Sequence, residues 1–141
     1  MASRDPKVDL IASVPLFRGL GRKELVEIAQ LVDSVDVPAG QVLMRQGDSG
    51  AEMFVVATGS VRVERNGTFI RNAGPGSAIG EMSLLSEGPR TATVTAAEPT
   101  RILLVAHREF HQLMEQHPAI RLCILDGLAS KIRTLDEAGA H

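Results

Sequence analysis

The feature that most limits what this chain can fold into is the placement of its glycines and prolines. Between residues 34 and 106 turn signals recur at short intervals: Pro38-Ala39-Gly40, Gly47-Asp48-Ser49-Gly50, Gly59, Asn66-Gly67 and Gly74-Pro75-Gly76. Glycine adopts positive φ without steric penalty and proline withholds a backbone donor, so this spacing leaves no room for a long helix. The pieces between the turns are β-rich, and about eight short strands in such a rhythm read as an all-β sandwich or barrel.

Local patterns place individual strands. Ser60-Val61-Arg62-Val63-Glu64-Arg65 alternates apolar with charged, so Val61 and Val63 are expected inward, with Arg62 and Glu64 facing water. Asn66-Gly67 follows as a two-residue hairpin turn, whose central residues both need positive φ. Phe54-Val55-Val56 and Ile102-Leu103-Leu104-Val105 are continuously apolar, the mark of strands covered on both faces.

The two ends read as helical. After the turn from Pro15 to Gly21, Leu25, Ile28, Ala29 and Val32 recur at helical spacing, and the helix should end near Val32. Helical period returns after Ala106 with Phe110, Leu113 and Met114, and Pro118 is well placed to open a final helix over 118–136. There Leu125, Leu128, Ile132 and Leu135 form a narrow apolar seam, which either packs on the chain's own β unit, joins a second subunit or closes over a ligand. Gly127 weakens that helix and calls for an outside contact to support it. The expected organisation is one domain over 1–141: an N-terminal helical part (7–33), a β unit (34–106) and C-terminal helices (107–136).

Composition excludes several functions. With 15 Lys+Arg against 17 Asp+Glu, and four Phe but no Trp or Tyr, the chain lacks the basic, aromatic surface that single-stranded nucleic acid requires. Its single cysteine, Cys123, can form neither an intrachain disulfide nor a thiolate zinc site, and reads as a small apolar core residue in a cytoplasmic chain. No apolar run approaches the roughly 18 residues of a membrane span, and the polar Ser3-Arg4-Asp5-Pro6-Lys7 is no secretion signal.

Chemistry concentrates in Ile79-Gly80-Glu81-Met82-Ser83-Leu84-Leu85-Ser86-Glu87-Gly88-Pro89-Arg90-Thr91-Ala92. A glycine followed by a short helix-competent run, 81–85, offers unpaired backbone N–H groups to an anion, and Gly80 lets that backbone approach closely. Arg90, held by Pro89 on a turn and followed by a strand over 91–97, supplies paired donors suited to the two free oxygens of a phosphate diester. Glu81 would repel phosphate unless it also accepts a hydrogen bond from a hydroxyl on the same ligand, such as a ribose 2′-OH. One anion and one sugar hydroxyl in little space describe a cyclic nucleotide.

On this block the sequence resembles the cyclic nucleotide-binding domain family, the sensor of catabolite-activator-type regulators, cyclic-nucleotide-dependent kinases and nucleotide-gated channels. The likeness extends to Pro15-Leu16-Phe17 and to Gly40, Gly47, Gly59 and Gly76, and covers about residues 16–135. Ile79 stands where the family usually has Phe, and Ser83 where it has Ala. The resemblance implies an eight-stranded β jelly roll with flanking helices, 79–92 being its phosphate-binding cassette. It implies Glu81 on the ribose 2′-OH, Arg90 on the cyclic phosphate and a cradle of backbone N–H groups at Gly80, Met82 and Ser83. Thr91 is linked to cGMP preference in kinase relatives and touches phosphate in bacterial ones; the bacterial style of the match favours cAMP. The last helix would swing to cap the base with one of Leu125, Leu128, Ala129 and Ile132.

Rival readings have fewer residues behind them. His107, His111, His117 and His141 all follow the β unit, so no strand carries a metal-ligand set, and His107-Arg108-Glu109-Phe110-His111 puts its glutamate out of place for a zinc protease. No serine has a nucleophile's context. The expectation is a regulatory sensor with no catalysis and no cofactor beyond its nucleotide, with a homodimer through the last helix among its partner readings. The other reading is a ligand-free relative serving only as an interaction or dimerisation module. Only 24 residues follow His117, too few for a DNA-reading helix-turn-helix, so the output is expected in an effector partner or a further domain.

Overall fold

The computed structural model describes residues 6–80 and 88–139, with side chains in the last helix described to Gly127 and again at Ala129 and Arg133. Helices α1 (Pro6–Ala12) and α2 (Arg22–Ala29) flank a single 3-10 turn at Pro15–Phe17. Among the described residues ten strands follow: β1 (Asp33–Val37), β2 (Val42–Met44), β3 (Ser49–Gly50), β4 (Glu52–Thr58), β5 (Val61–Arg65), β6 (Thr68–Ala73), β7 (Ala78–Ile79), β8 (Gly88–Pro89), β9 (Thr93–Ala96) and β10 (Thr100–Ala106). Helices α3 (His107–Gln116) and α4 (Pro118–Gly139) complete the chain. The strand number exceeds the expected eight because β3, β7 and β8 are two-residue pieces that the turn pattern hides.

The strands form a β jelly roll of two facing antiparallel sheets, ordered β1-β10-β4-β7 and β2-β9-β5-β6, with a small β3-β8 ladder beside them. The continuous apolar runs are explained by double coverage. Met53, Val55, Leu103 and Val105 point to one face of β4 and β10, where they pack with Ile11, Phe17, Ile28, Phe110, Ile120 and Ile124 of the helical layer. Phe54, Val56 and Ile102 point to the other face and meet Val61, Val63 and Val94 of the second sheet. Strand periodicity of two thus splits a single run between two cores.

In β5, Val61 and Val63 are buried while Arg62 is exposed. The β5–β6 turn has Asn66 at φ 54° and Gly67 at φ 76°, the left-handed pair that a two-residue hairpin requires. Gln46 clamps its tip: its amide donates to Asn66 Oδ1, and Asn66 N–H donates back to Gln46 Oε1, both at 2.8 Å.

Two expected boundaries change. Helix α2 ends at Ala29 rather than near Val32, and Val32 is buried beyond the helix end. The strand expected over 91–97 begins only at Thr93, because Arg90 remains tied to the β3 segment. In α4 Ile120 and Ile124 are fully buried, while Leu125, whose seam the sequence leaves open between the chain's own β unit, a second subunit and a ligand, is 52% exposed. The partners expected with Leu125 in that seam, Leu128, Ile132 and Leu135, have side chains outside the description. Gly127 finds its supporting contact at the 3-10 turn, where a Cβ would stand 3.3 Å from the Leu16 carbonyl oxygen.

Cys123 is only half-buried, at the margin of the core. Its thiol donates to the Arg18 carbonyl at 2.9 Å, so it is a polar tether as much as an apolar filler. Burial pushes the thiol pKa up, and the charges of Asp126 and Glu24 push in the same direction.

Candidate functional site

The site begins with the β3-β8 ladder. Its register pairs Ser49 with Pro89 and Gly50 with Gly88. Just beyond, Arg90 N–H donates to the Asp48 carbonyl at 2.7 Å, and Gly47 N–H donates to the Arg90 carbonyl at 2.8 Å. The Gly47-Asp48-Ser49-Gly50 turn therefore fixes the backbone from which the Arg90 side chain starts.

Arg90 is 8% exposed, so it is no ordinary surface turn residue. Its Nη1 donates to the Glu52 carbonyl at 2.9 Å, and its guanidinium lies 5.7 Å from the centre of the Phe54 ring. Burial pushes its pKa below the usual arginine value, while the Glu52 charge pushes the other way. Gly80 lies against the same group. Its φ of 76° is left-handed, and a Cβ there would stand 2.6 Å from Arg90 Nη1. Glycine is thus needed at position 80 both for its backbone conformation and for close approach to the arginine.

Arg90 lines a cleft of about 310 Å³ where β1, β10 and β4 face β2. One wall is apolar, with Val35, Met44, Phe54 and Leu104, while Gln41, Arg45, Asp48, Ser49 and Glu52 add polar groups to the lining. Val35 is 39% exposed, and Leu43, Met44 and Leu104 are only partly buried, so apolar surface faces the open space. A polar end with one buried cation beside an apolar wall can hold a singly charged anion attached to a flat apolar group.

Of the residues predicted for the site, Gly80 and Arg90 are brought together. Glu81, Met82 and Ser83 lie outside the described residues. Thr91 is exposed and does not line the cleft; its carbonyl accepts a hydrogen bond from Arg65 Nε at 3.1 Å. Among the capping candidates Leu125 and Ala129 are exposed on α4 and do not line the cleft, and the side chains of Leu128 and Ile132 are outside the description. Sequence reasoning missed Asp48, Glu52 and Phe54. Asp48 had been read only as a turn residue and Phe54 only as a core residue, and a backbone carbonyl such as that of Glu52 leaves no mark in a sequence.

The His107 and His111 rings stack with centroids 4.1 Å apart, and the described residues hold no group of three or more metal-ligating side chains. No described helix is long and apolar enough to cross a membrane.

A β jelly roll with a buried arginine at one end of a cleft that has an apolar wall is an arrangement able to hold a small anionic ligand. The family model of the cyclic nucleotide-binding domain matches residues 34–117, more than half the chain, and the chain belongs to that family. Over 111 residues it is 42% identical to a cyclic nucleotide-gated potassium channel of Mesorhizobium japonicum, covering 79% of this chain and 31% of the channel. It is 32% identical over 127 residues to the cyclic AMP receptor protein of Thermus thermophilus, covering 86% of this chain and 59% of that protein. The N-terminal domain of a transcriptional regulator from Streptomyces coelicolor matches its fold with a TM-score of 0.87 at 29% identity, covering 92% of this chain and 94% of that one. The chain thus spans about a third of the length of the curated channel relative.

Proposed function

We propose that this chain is a cyclic nucleotide sensor, preferring cAMP to cGMP, that signals through movement of α4. The observation that carries the reading is Arg90, a buried cation at the end of an apolar cleft. In this reading its guanidinium holds the cyclic phosphate, with backbone N–H groups at Gly80, Met82 and Ser83 completing the cradle. Glu81 takes the ribose 2′-OH, Thr91 adds a hydroxyl near the phosphate, and the base lies along the apolar wall. The preference for cAMP is supported by the likeness to a cyclic AMP receptor protein.

Two adjacent carbonyls give a physical route for the signal. Glu52 holds the Arg90 guanidinium, while Ala51 accepts the N–H of His107 at 2.7 Å, the first residue of α3. When phosphate draws Arg90 away from Glu52, the start of β4 and the α3 it holds are free to adjust. Helix α4 then swings so that one of Leu125, Leu128, Ala129 and Ile132 caps the base. Leu125 is exposed in the described conformation, so capping requires that swing. The ligand shifts the equilibrium only as far as it binds the capped state more tightly than the open one.

The exposed Leu122 and Leu125 favour a second role for α4, as the surface that meets a second copy of the chain or an effector. The chain acts in this reading as a regulatory module without catalysis, in the cytoplasm, within or alongside the protein whose output it controls.

Calorimetric titration with cAMP, cGMP and linear AMP, on the native chain and on Arg90→Ala and Glu81→Ala, tests the proposal. The expected result is binding of a cyclic nucleotide at micromolar affinity or better, about −8 kcal/mol, weakened by either substitution. Folded protein that gives no heat with either cyclic nucleotide would instead support the ligand-free interaction module.

A further inference from the structure

We infer that Gly50 is a positioning residue for the phosphate-binding arginine, its missing side chain being the space in which the Arg90 guanidinium rests. The inference builds on the proposed role of Arg90. A Cβ on Gly50 would overlap Nε and Cζ of Arg90. Gly50 lies in an extended ladder and is absent from the positive-φ glycines, which include its neighbour Gly47 and its counterpart Gly80. Its backbone would therefore accept any L-residue, and only the occupied space demands glycine.

The rest of the geometry leaves the arginine little other choice. The backbone of Arg90 is held by Asp48 and Gly47, so the remaining freedom lies in its side-chain torsions. Gly80 confines the guanidinium from the other side, Phe54 lies beneath it and the Glu52 carbonyl anchors Nη1. Two glycines and a carbonyl thus select one rotamer from the many a long side chain can adopt.

The atoms that a new methyl group would meet are the far end of a flexible side chain, with no backbone among the nearest. The guanidinium therefore moves and the fold stays, so alanine at position 50 should spare folding and damage binding. A residue needed for folding would do the reverse.

The test uses Gly50→Ala, Arg90→Ala and the double variant of the full chain. Denaturation reports folding, calorimetry with cAMP reports binding, and nitrogen-15 NMR of the arginine Nε–H groups without nucleotide reports the position of the guanidinium. Gly50→Ala should unfold close to the native chain and shift the Nε–H resonance identified by its loss in Arg90→Ala. It should weaken cAMP about tenfold or more, yet cost less than about twofold when Arg90 is already alanine, the non-additivity expected of residues acting as a unit. Equal losses in both backgrounds, an unmoved resonance or a Gly50→Ala chain that fails to fold would each overturn the inference. If the native chain binds no cyclic nucleotide, the functional reading fails, and the NMR shift alone upholds or overturns the positioning.

Discussion

Replacing Arg90 by methionine separates what the arginine does for folding from what it does for a ligand. Arg90 is 8% exposed, and burial pushes its pKa below the ordinary value. A base with a depressed folded-state pKa binds its proton less well folded than unfolded. The buried charge therefore opposes folding at every pH below that value, neutral pH included, and the penalty fades only in strong alkali. Against this stand, among the described contacts, the attraction of the Glu52 charge and a hydrogen bond to the Glu52 carbonyl, about 1.5–3 kcal/mol for a charged donor.

Methionine keeps an apolar stem beside Phe54 and removes the charge, while the carbonyl it abandons belongs to a residue lining an open cleft that water can enter. The opposing effects should leave the unliganded protein within about 1 kcal/mol of the native chain, a Tm change of about 3–4 °C at most. Binding has no such compensation. Two charge-assisted hydrogen bonds to phosphate are lost at about 1.5–3 kcal/mol each, which predicts a fall in cAMP affinity of roughly 10²- to 10⁴-fold. Thermal denaturation without nucleotide and calorimetry with it read the two effects separately. A loss of more than about 3 kcal/mol in the unliganded protein, or unchanged affinity, would refute the reasoning.

Other expectations follow from the packing and the surface charges. Ile124→Ala removes a fully buried side chain that ties α4 to the helical layer, and should cost about 2–5 kcal/mol in urea denaturation. Gly127→Val places branched carbons against the Leu16 carbonyl and should cost about 1–3 kcal/mol despite better helix propensity, with NMR shifts at the 3-10 turn. The hydrogen bond from Arg101 holds the Asp36 carboxyl below the usual carboxylate range, so its stabilising effect is present above the unfolded-state pKa and lost as pH falls through the folded one. Both side chains are exposed, so Arg101→Gln or high salt should raise the Asp36 titration midpoint by NMR while leaving the fold intact.

Much of the fold could be read from the chain because turn chemistry and strand alternation are local. Asn66-Gly67 and the Val61/Val63 alternation depend only on backbone torsion and the two faces of a strand, and they stand as expected. The burial of Ile120 and Ile124 on α4 is not legible in the same way, because a 3,4-spaced leucine row is visible in sequence whereas the approach of Gly127 to Leu16 arises only when distant segments meet. The same division runs through the site. Gly80 and Arg90 were identifiable by their motif, but the frame around the guanidinium was not. It consists of a carbonyl at Glu52 and an absent side chain at Gly50, and neither has a chemical signature of its own. The ladder that brings residues 47–50 to residues 88–90 joins segments about forty positions apart by two-residue strands, too short for any periodicity to reveal.

In the proposed function Arg90, at the end of the cleft, receives the phosphate of a cyclic nucleotide. A crystal structure of the chain with cAMP tests it most directly. Phosphate oxygens are expected about 2.7–2.9 Å from the Arg90 guanidinium, with the base along the wall formed by Met44 and Leu104. A phosphate held elsewhere, with Arg90 still on the Glu52 carbonyl and the cleft empty, would contradict it.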